Sequence, residues 1–143
     1  MVNRSDLADS DLFCDTSYFY ALLSKKDSNH QEAKRWAAEI QKGEISCWTT
    51  WDIISETLTL LISRNHYTMA MAFLDELDPS LKKAEYGDEI REAAKKTFRR
   101  FNKDHSFSFC DCISYHVIRD LLHPMPALSF DEDFRQMGLT IAN

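Results

Sequence analysis

The sequence predicts an α/β fold with three layers, in which a central, mostly parallel sheet of four to five strands is flanked by helices. Short apolar runs alternate along the chain with longer segments in which apolar residues recur every three or four positions. That alternation is typical of parallel strands joined by crossover helices. Only three glycines and three prolines occur in 143 residues, which argues against an all-β fold rich in tight turns.

Size and composition indicate one globular domain. A chain of 143 residues can bury roughly 70% of the surface that its unfolded form exposes. Hydrophobic residues make up 44% and charged residues 28%, a balance that excludes a disordered chain. We expect a polar tail over 1–10 and a single domain over 11–143. The sequence has neither an apolar run of about 18 residues nor a signal-peptide stretch, so we expect no membrane span.

The first third of the chain predicts one strand and two helices. The apolar run 12–15 predicts a short buried strand, and a short helix over 16–23 follows it directly. Ser28 and Gln31 fit the pattern of a capping box at the start of a second helix. Apolar residues then recur at helical spacing up to Gly43, which is a common residue at a helix end.

The middle third predicts a second strand, two helices and a weaker strand. The run 45–49 is apolar and predicts the strand, and the helix that begins near Trp51 has a regular apolar face. A further helix is predicted over 67–77, ended by Pro79. The segment 81–86 is ambiguous, and we interpret it as a short strand at the edge of the sheet.

The last third predicts two more helices and the remaining strands. Asp88 is a suitable N-cap for a helix that keeps its apolar period through Lys103. We then predict, in order, a connection over 106–110, a helix over 111–122, a strand over 127–130, a helical turn over 132–137 and a last short strand over 139–141. This order of elements is that of a parallel sheet covered by helices on both faces.

Four carboxylates stand where this fold would gather them. Three follow apolar runs directly, and one lies a single turn into the helix after the second strand; they are Asp15, Glu56, Asp111 and Asp131. The carboxyl ends of parallel strands meet at one edge of a sheet, where ligands bind. Carboxylates gathered there would repel each other unless a cation neutralised them. The pattern therefore predicts a site for a hard divalent ion such as Mg²⁺ or Mn²⁺.

Taken singly, each of these acids also has a purely structural explanation. Asp15, Asp111 and Asp131 stand at positions where an aspartate often caps a helix, and Glu56 fits an exposed position on an amphipathic helix. Only their joint placement at one end of one sheet favours a functional site.

The spacing of the cysteines and the net charge of the chain bear on which classes of function the sequence is compatible with. The cysteines match no common zinc pattern and are expected to be reduced and mostly buried, as in a cytoplasmic protein; they are Cys14, Cys47, Cys110 and Cys112. A net charge of −6 is unusual for a protein that handles nucleic acid. Basic residues concentrate in the predicted helix over 91–103, where a solvated face is the favoured interpretation and phosphate contact or partner docking the alternative.

Five short stretches together resemble PIN-domain ribonucleases, and specifically the small VapC-type toxins of toxin–antitoxin pairs. In chain order they are 12–17, 27–30, 49–56, 107–112 and 129–134. The resemblance implies a PIN fold and a metal-dependent endoribonuclease that cleaves phosphodiester bonds of single-stranded RNA. It also implies Mg²⁺ or Mn²⁺ as the cofactor, held by the catalytic residues Asp15, Glu56, Asp111 and Asp131.

The same resemblance extends to neighbouring residues and partners. It implies that Ser17 supports the first acid and that Asp133 is a more variable fifth acid, whereas His30 has a packing or capping role. We interpret Asp15 and Asp111 as the principal metal ligands, with the other two acids closing the site or orienting water. A homodimer and a small antitoxin, laid as a helix across the early helices, are the implied protein partners.

Two alternatives remain open from the sequence. One is another acid-dependent phosphate hydrolase, but a haloacid-dehalogenase-type enzyme would need an aspartate where Ser17 stands, and no P-loop motif occurs. The other is a PIN-like scaffold that binds RNA or a protein without cutting. Loss of an acid would be its usual signature, and all four acids are present.

Overall fold

Four short parallel strands form the centre of the fold in the computed structural model, which describes residues 2–142. They are β1 (Leu12–Cys14), β2 (Cys47–Thr49), β3 (Leu81–Lys83) and β4 (Ala127–Leu128), in the spatial order β3-β2-β1-β4. Every pairing is parallel, so the predicted α/β sheet is confirmed with four strands. The outermost residues of the predicted tail and domain, Met1 and Asn143, lie outside the described residues.

Seven α-helices within residues 2–142 flank this sheet. They are α1 (Thr16–Leu23), α2 (His30–Lys42), α3 (Trp51–Ser63), α4 (Tyr67–Ala72), α5 (Asp88–Phe101), α6 (Phe109–His116) and α7 (Glu132–Gln136). Five-residue π-helical turns continue α4 and α6, over Phe73–Leu77 and Val117–Leu121. None of the helices found between residues 2 and 142 is long and apolar enough to cross a bilayer.

The strands are short, and β2 pairs with β3 along its whole length. All three residues of β1 and of β2 are buried, as expected for inner strands covered on both faces. The predicted edge strand is confirmed as β3, which has one buried residue. The predicted last strand is reduced to a single parallel bridge between Ala127 and Ile141.

Two helix starts differ from the sequence prediction. The capping box at Ser28 is wrong, because α2 begins at His30 after Asn29, whose amide donates to Asp27 Oδ1 at 2.8 Å. The same turn is held by His30 Nδ1, which donates to the Ala21 carbonyl at 2.7 Å and so has the packing role expected for it. The end of α2 is confirmed at Gly43, where φ is −86°. The left-handed conformation falls one residue later, on Glu44.

The second difference places one candidate acid inside a helix. The segment 106–110 is not a connection throughout, because α6 already begins at Phe109. The Ser108 hydroxyl accepts from the Asp111 amide at 3.0 Å, and Asp111 Oδ2 accepts from the Ser108 amide at 3.1 Å. This reciprocal pair is a capping box, so Asp111 lies in the first turn of α6.

Strand order decides where a crevice opens. From β1 the chain moves outward to β2 and then β3, whereas β4 lies on the other side of β1. The connections that leave β1 and β4 therefore diverge, and ligands of open α/β sheets bind at such a switch point. The residues that follow β1 and β4 face each other there.

Candidate active site

Asp15 is the first side chain at this switch point. It follows β1 directly and is only 5% exposed. Although it occupies the N-cap position of α1, its carboxylate makes no capping hydrogen bond. Its Oδ2 accepts instead from the Ser17 hydroxyl at 3.0 Å and from the Ser129 hydroxyl at 2.9 Å. The explanation of Asp15 as a simple helix cap therefore does not hold.

The two serines are themselves held in place by the chain after β4. The Phe130 amide donates to Ser17 Oγ at 2.9 Å, and the Asp131 amide donates to Ser129 Oγ at 3.1 Å. Because each hydroxyl accepts one of these bonds, its hydrogen is directed toward Asp15. Ser129 was not identified from the sequence as a site residue, and its only signal was a small polar residue at the end of a predicted strand.

The environment of Asp15 opposes its ionisation. Burial raises the pKa of Asp15 to about 6, and the charge of nearby Glu56 acts in the same direction. Hydrogen bonds from Ser129 and Ser17 act in the opposite direction because they stabilise the carboxylate. A buried carboxylate near a second acid is a group that a bound cation would stabilise.

Glu56 reaches the site from α3. Thr50 Oγ1 accepts from the Ile53 amide at 3.2 Å and so fixes the start of this helix after β2. The Thr57 hydroxyl donates to Thr16 Oγ1 at 3.1 Å between buried side chains, which joins α3 to the residue after Asp15. The charge of Glu56, the residue before Thr57, raises the pKa of Asp15, which places Glu56 near Asp15.

Asp111 enters the same electrostatic environment from α6. Burial raises the pKa of Asp111 to about 7, and the charges of Asp15 and Asp133 contribute in the same direction. The hydrogen bonds with Ser108 act in the opposite direction. The charge of Asp15 thus acts on Asp111 from an element far away in the sequence, which places the two carboxyls near each other.

Asp131 and Asp133 take different positions at this edge. Asp131 is exposed and caps α7, because its Oδ1 accepts from the Asp133 amide at 3.0 Å. Burial raises the pKa of Asp133, followed by the charge of Asp131, and a hydrogen bond with the Asp111 carboxyl opposes the rise. Asp133 is thus the acid beside Asp111, with Asp131 at the rim. The role of Asp131 as a metal ligand stays a prediction.

The acids are close enough to affect one another without forming a finished coordination shell. Within residues 2–142, no three His, Cys, Asp or Glu side chains stand close enough together to hold a metal ion. Carboxylates that repel each other are drawn together by a cation, and a set of oxygen donors is what Mg²⁺ and Mn²⁺ prefer. Asp15, Glu56 and Asp111 supply carboxylate oxygens at this edge, and the charges of Glu56 and Asp15 raise the pKa of Asp15 and Asp111 respectively, so the residues fit such an ion.

The cysteines do not change the conclusion that carboxylate oxygens are the candidate metal ligands. All four are free thiols, and three of them are buried as expected. Cys110 is half-buried beside the acids, where burial raises the pKa of its thiol and the charges of Glu56 and Asp111 raise it further. A neutral thiol is a poor ligand, which leaves the carboxylates as the donors at this edge.

Several basic residues of α5 lie on a solvent-exposed face of the helix. Arg91 pairs with Asp88 at 3.0 Å and Lys95 pairs with Glu92 at 3.0 Å, both in exposed i,i+3 pairs. Pairs of this kind contribute little to stability. Lys96 is exposed as well, so this helix presents cations to solvent near the start of α6.

Comparison with known proteins identifies a matching family and similar solved structures. The profile of a family described as "PIN domain" matches residues 12–139, nearly the whole chain. The structure is similar to the crystal structure of VapC20 from Mycobacterium tuberculosis, described as a toxin that cleaves the sarcin-ricin loop, with a TM-score of 0.78 and 26% sequence identity. The alignment covers 92% of this chain and 98% of that one. No curated protein matches the sequence.

Proposed function

Since the chain belongs to the PIN domain family, we propose that it is a metal-dependent endoribonuclease that cleaves single-stranded RNA, and that it is the toxin of a toxin–antitoxin pair. The observation that carries the proposal is that Asp15 and Asp111, which come from elements far apart in the sequence, lie close enough for the charge of Asp15 to raise the pKa of Asp111. Burial raises the pKa of both carboxyls. Such perturbed groups cluster at functional sites.

The proposed division of labour follows from how each side chain is held. Asp15, fixed by two serine hydroxyls, and Asp111, fixed by its capping box, would be the principal metal ligands. Glu56 and Asp131 would close the site or orient water, and Asp133 would assist Asp111. When bound, Mg²⁺ or Mn²⁺ supplies an activated water and neutralises charge on the phosphate.

The chain's own contribution is to hold the acids in place. The hydroxyls of Ser17 and Ser129 both end on one oxygen of Asp15, which sets the direction of the carboxylate. Burial of Asp15 keeps bulk water away and strengthens its interaction with any charge that approaches. A scaffold without catalysis would not need carboxylates kept in so unfavourable an environment, so that alternative is not favoured.

An antitoxin partner and a homodimer are part of the same proposal. An apolar groove of about 520 Å³ lies between α1, α2 and the π-helical turn after α4, with Phe19, Leu22, Ile40 and Leu77 in its lining. An amphipathic helix buries its apolar face in a groove of this kind. The groove supports the proposal that a small antitoxin docks on the early helices.

The experiment is cleavage of RNA by the purified protein. Single-stranded RNA, including a sarcin-ricin-loop oligonucleotide because the similar toxin cleaves that loop, is incubated with Mg²⁺ or Mn²⁺ and with EDTA. We expect cleavage with either metal and none with EDTA. Cleavage that continues in EDTA would contradict the metal dependence. Binding without cleavage of any RNA would favour the scaffold instead.

A further inference from the structure

An open cleft lies beside the acidic edge and takes no part in the chemistry proposed above. Its volume is about 280 Å³, and it lies between the first turns of α3, the loop after β3 and the start of α5. The polar and aromatic side chains that line it are Trp51, Asp52, Ser55, Glu85, Tyr86 and Arg91. Two aromatic rings therefore stand together with two carboxylates, a hydroxyl and a guanidinium.

Trp51 is the most conspicuous wall of the cleft. Its indole is 54% exposed, whereas Trp48 of the neighbouring strand is buried. The Lys83 ammonium lies 5.3 Å from the Trp51 ring centroid and is itself paired with Asp78 at 2.8 Å. An anchored cation thus holds the indole in a cation–π contact, while more than half of a large apolar ring faces solvent. A ring held in this way is preorganised to stack against another flat surface.

Tyr86 forms the other aromatic wall and is equally restrained. Its hydroxyl donates to Asp52 Oδ2 at 2.6 Å, and the Arg91 guanidinium lies 4.9 Å from its ring centroid. Arg91 is otherwise committed only to the exposed pair with Asp88, which costs little to exchange. A phosphate is a stronger partner for a guanidinium because two of its oxygens can be bound at once.

The cleft adjoins the proposed catalytic residues. Asp52 and Glu56 are four residues apart on α3 and so lie on the same helix face, about 5–6 Å apart at Cβ. The charges of Asp52 and Asp15 both raise the pKa of the Cys110 thiol, which places the cleft and the carboxylates around one side chain. Asp52 at the cleft therefore lies one helical turn from Glu56 of the acidic edge.

We propose that the cleft between Trp51 and Tyr86 binds one unpaired base of the RNA, next to the phosphate that is cut. The inference rests on the proposed function, because that function identifies RNA as the occupant. Aromatic side chains bind single strands by stacking on bases of any sequence, and in a duplex the bases are already stacked on each other. Arg91 would contact the adjoining phosphate, and Asp52 would accept from a base amino or imino group.

Charge strengthens the case for this location. The chain has a net charge of −6, and four of its acids lie at the edge where the phosphate must approach. RNA affinity therefore needs a local contribution that does not depend on overall charge, and stacking provides one. Arg91 and the anchored Lys83 place two cations beside the rings of this cleft.

The test measures RNA binding apart from cleavage. The Asp15→Asn protein in EDTA is titrated into a fluorescently labelled, unstructured RNA oligonucleotide, and anisotropy gives the Kd. Adding Trp51→Ala should weaken binding by about 5- to 100-fold, as expected for loss of one stacked base. Trp51→Phe should restore most of the affinity because it keeps a ring. The matched control is Tyr67→Ala, which removes an aromatic residue that is 65% exposed on α4 and should leave the Kd unchanged.

Each outcome decides the proposal. A Kd for Trp51→Ala equal to that of the Tyr67→Ala control overturns it, and so does equal weakening for duplex RNA. If sedimentation shows that Trp51→Ala converts a dimer to a monomer, the cleft is a contact between copies and the base-binding role is wrong. Cleavage by the wild type is scored separately. Protein that binds RNA through Trp51 but never cuts it refutes the nuclease and leaves the cleft intact.

Discussion

Two aspartates lie at opposite ends of β1 and are buried to the same degree. They differ in their hydrogen-bond donors and in the charges of their neighbours. Asp11 precedes the strand and is 3% exposed, and Asp15 follows it and is 5% exposed. Asp11 accepts three N–H bonds, from the Ala8 amide at 3.0 Å, the Ser46 amide at 3.3 Å and the Trp48 indole at 3.1 Å. Those donors satisfy its charge, so Asp11 fixes the chain before β1 to β2.

Asp15 has no comparable set of donors. It receives two serine hydroxyls, and its other close charged neighbours are acids. The comparison shows that burial alone does not define the role of a carboxylate. Donors make a buried aspartate a structural anchor, whereas further carboxylates make it a site that requires a cation.

The largest expected effect comes from substituting each aspartate by its amide. Asp15→Asn should lower RNA cleavage by about 1,000-fold or more, because a metal ligand accounts for several kcal/mol of transition-state stabilisation. Its stability should be unchanged or higher, because the fold opposes the charge at that position. Asp11→Asn should leave the activity of folded protein intact and lower the free energy of unfolding by about 1–3 kcal/mol.

Cleavage rates and urea unfolding of the two variants check this reciprocal pattern. The matched control is Asp75→Asn, an exposed aspartate in the turn after α4, which should change neither quantity. Full activity of Asp15→Asn would remove this residue from the mechanism. An Asp11→Asn protein as stable as the wild type would show that its three N–H bonds are not the anchor described above.

A smaller effect is expected on stability as pH changes. The folded pKa values of Asp15, about 6, and of Asp111, about 7, lie above the unfolded value of about 3.9. The folded state therefore binds protons more tightly than the unfolded state. The resulting stabilisation is complete below about pH 4 and is lost as pH rises through 6 and 7. For Asp15 it amounts to roughly 3 kcal/mol.

Thermal unfolding in EDTA between pH 5 and 8 measures this loss. Mg²⁺ or Mn²⁺ should raise Tm more at pH 8, where both carboxyls are ionised, than at pH 5. The variant with Asn at both 15 and 111 is the control, and it should lose both the pH dependence in this range and the response to metal. A wild type whose Tm is equally insensitive to metal at both pH values would contradict a cation site at this edge.

The smallest expected effect tests the role of Ser129, the site residue that was not identified from the sequence. Ser129→Ala removes one of the two hydroxyls that stabilise the Asp15 carboxylate, so the pKa of Asp15 should rise further. We expect cleavage to fall about 10-fold near neutral pH, as for loss of a residue that orients a metal ligand, and to recover in part at higher pH.

The pH–rate profile distinguishes this role from a general loss of structure. Ser114→Ala is the matched control, because Ser114 is a buried serine of α6 whose hydroxyl has no hydrogen-bond partner. It should leave the profile unchanged. A Ser129→Ala profile that is lower by the same factor at every pH would indicate that the pKa of Asp15 is not what the serine controls.

Most of the fold could be predicted because its signals are local. The helices α1 and α3 and the strands β1 and β2 follow from apolar periodicity within a few residues. The errors arose where two local signals competed. Asp27 and Asn29 replaced Ser28 at the start of α2, and Ser108 started α6 within a run that reads as a connection.

The sequence by itself determined that acids follow the strands of a parallel sheet, because the end of a strand and the polar residue after it are neighbours in the chain. Only the tertiary structure decided which acids meet. Ser129 reaches Asp15 across 114 positions of sequence, and Asp133 lies beside Asp111. Hydrogen bonds and charge interactions act over a few ångströms in space. They depend on how elements pack and which way a side chain turns, and neither is set by the residues next to it in the chain.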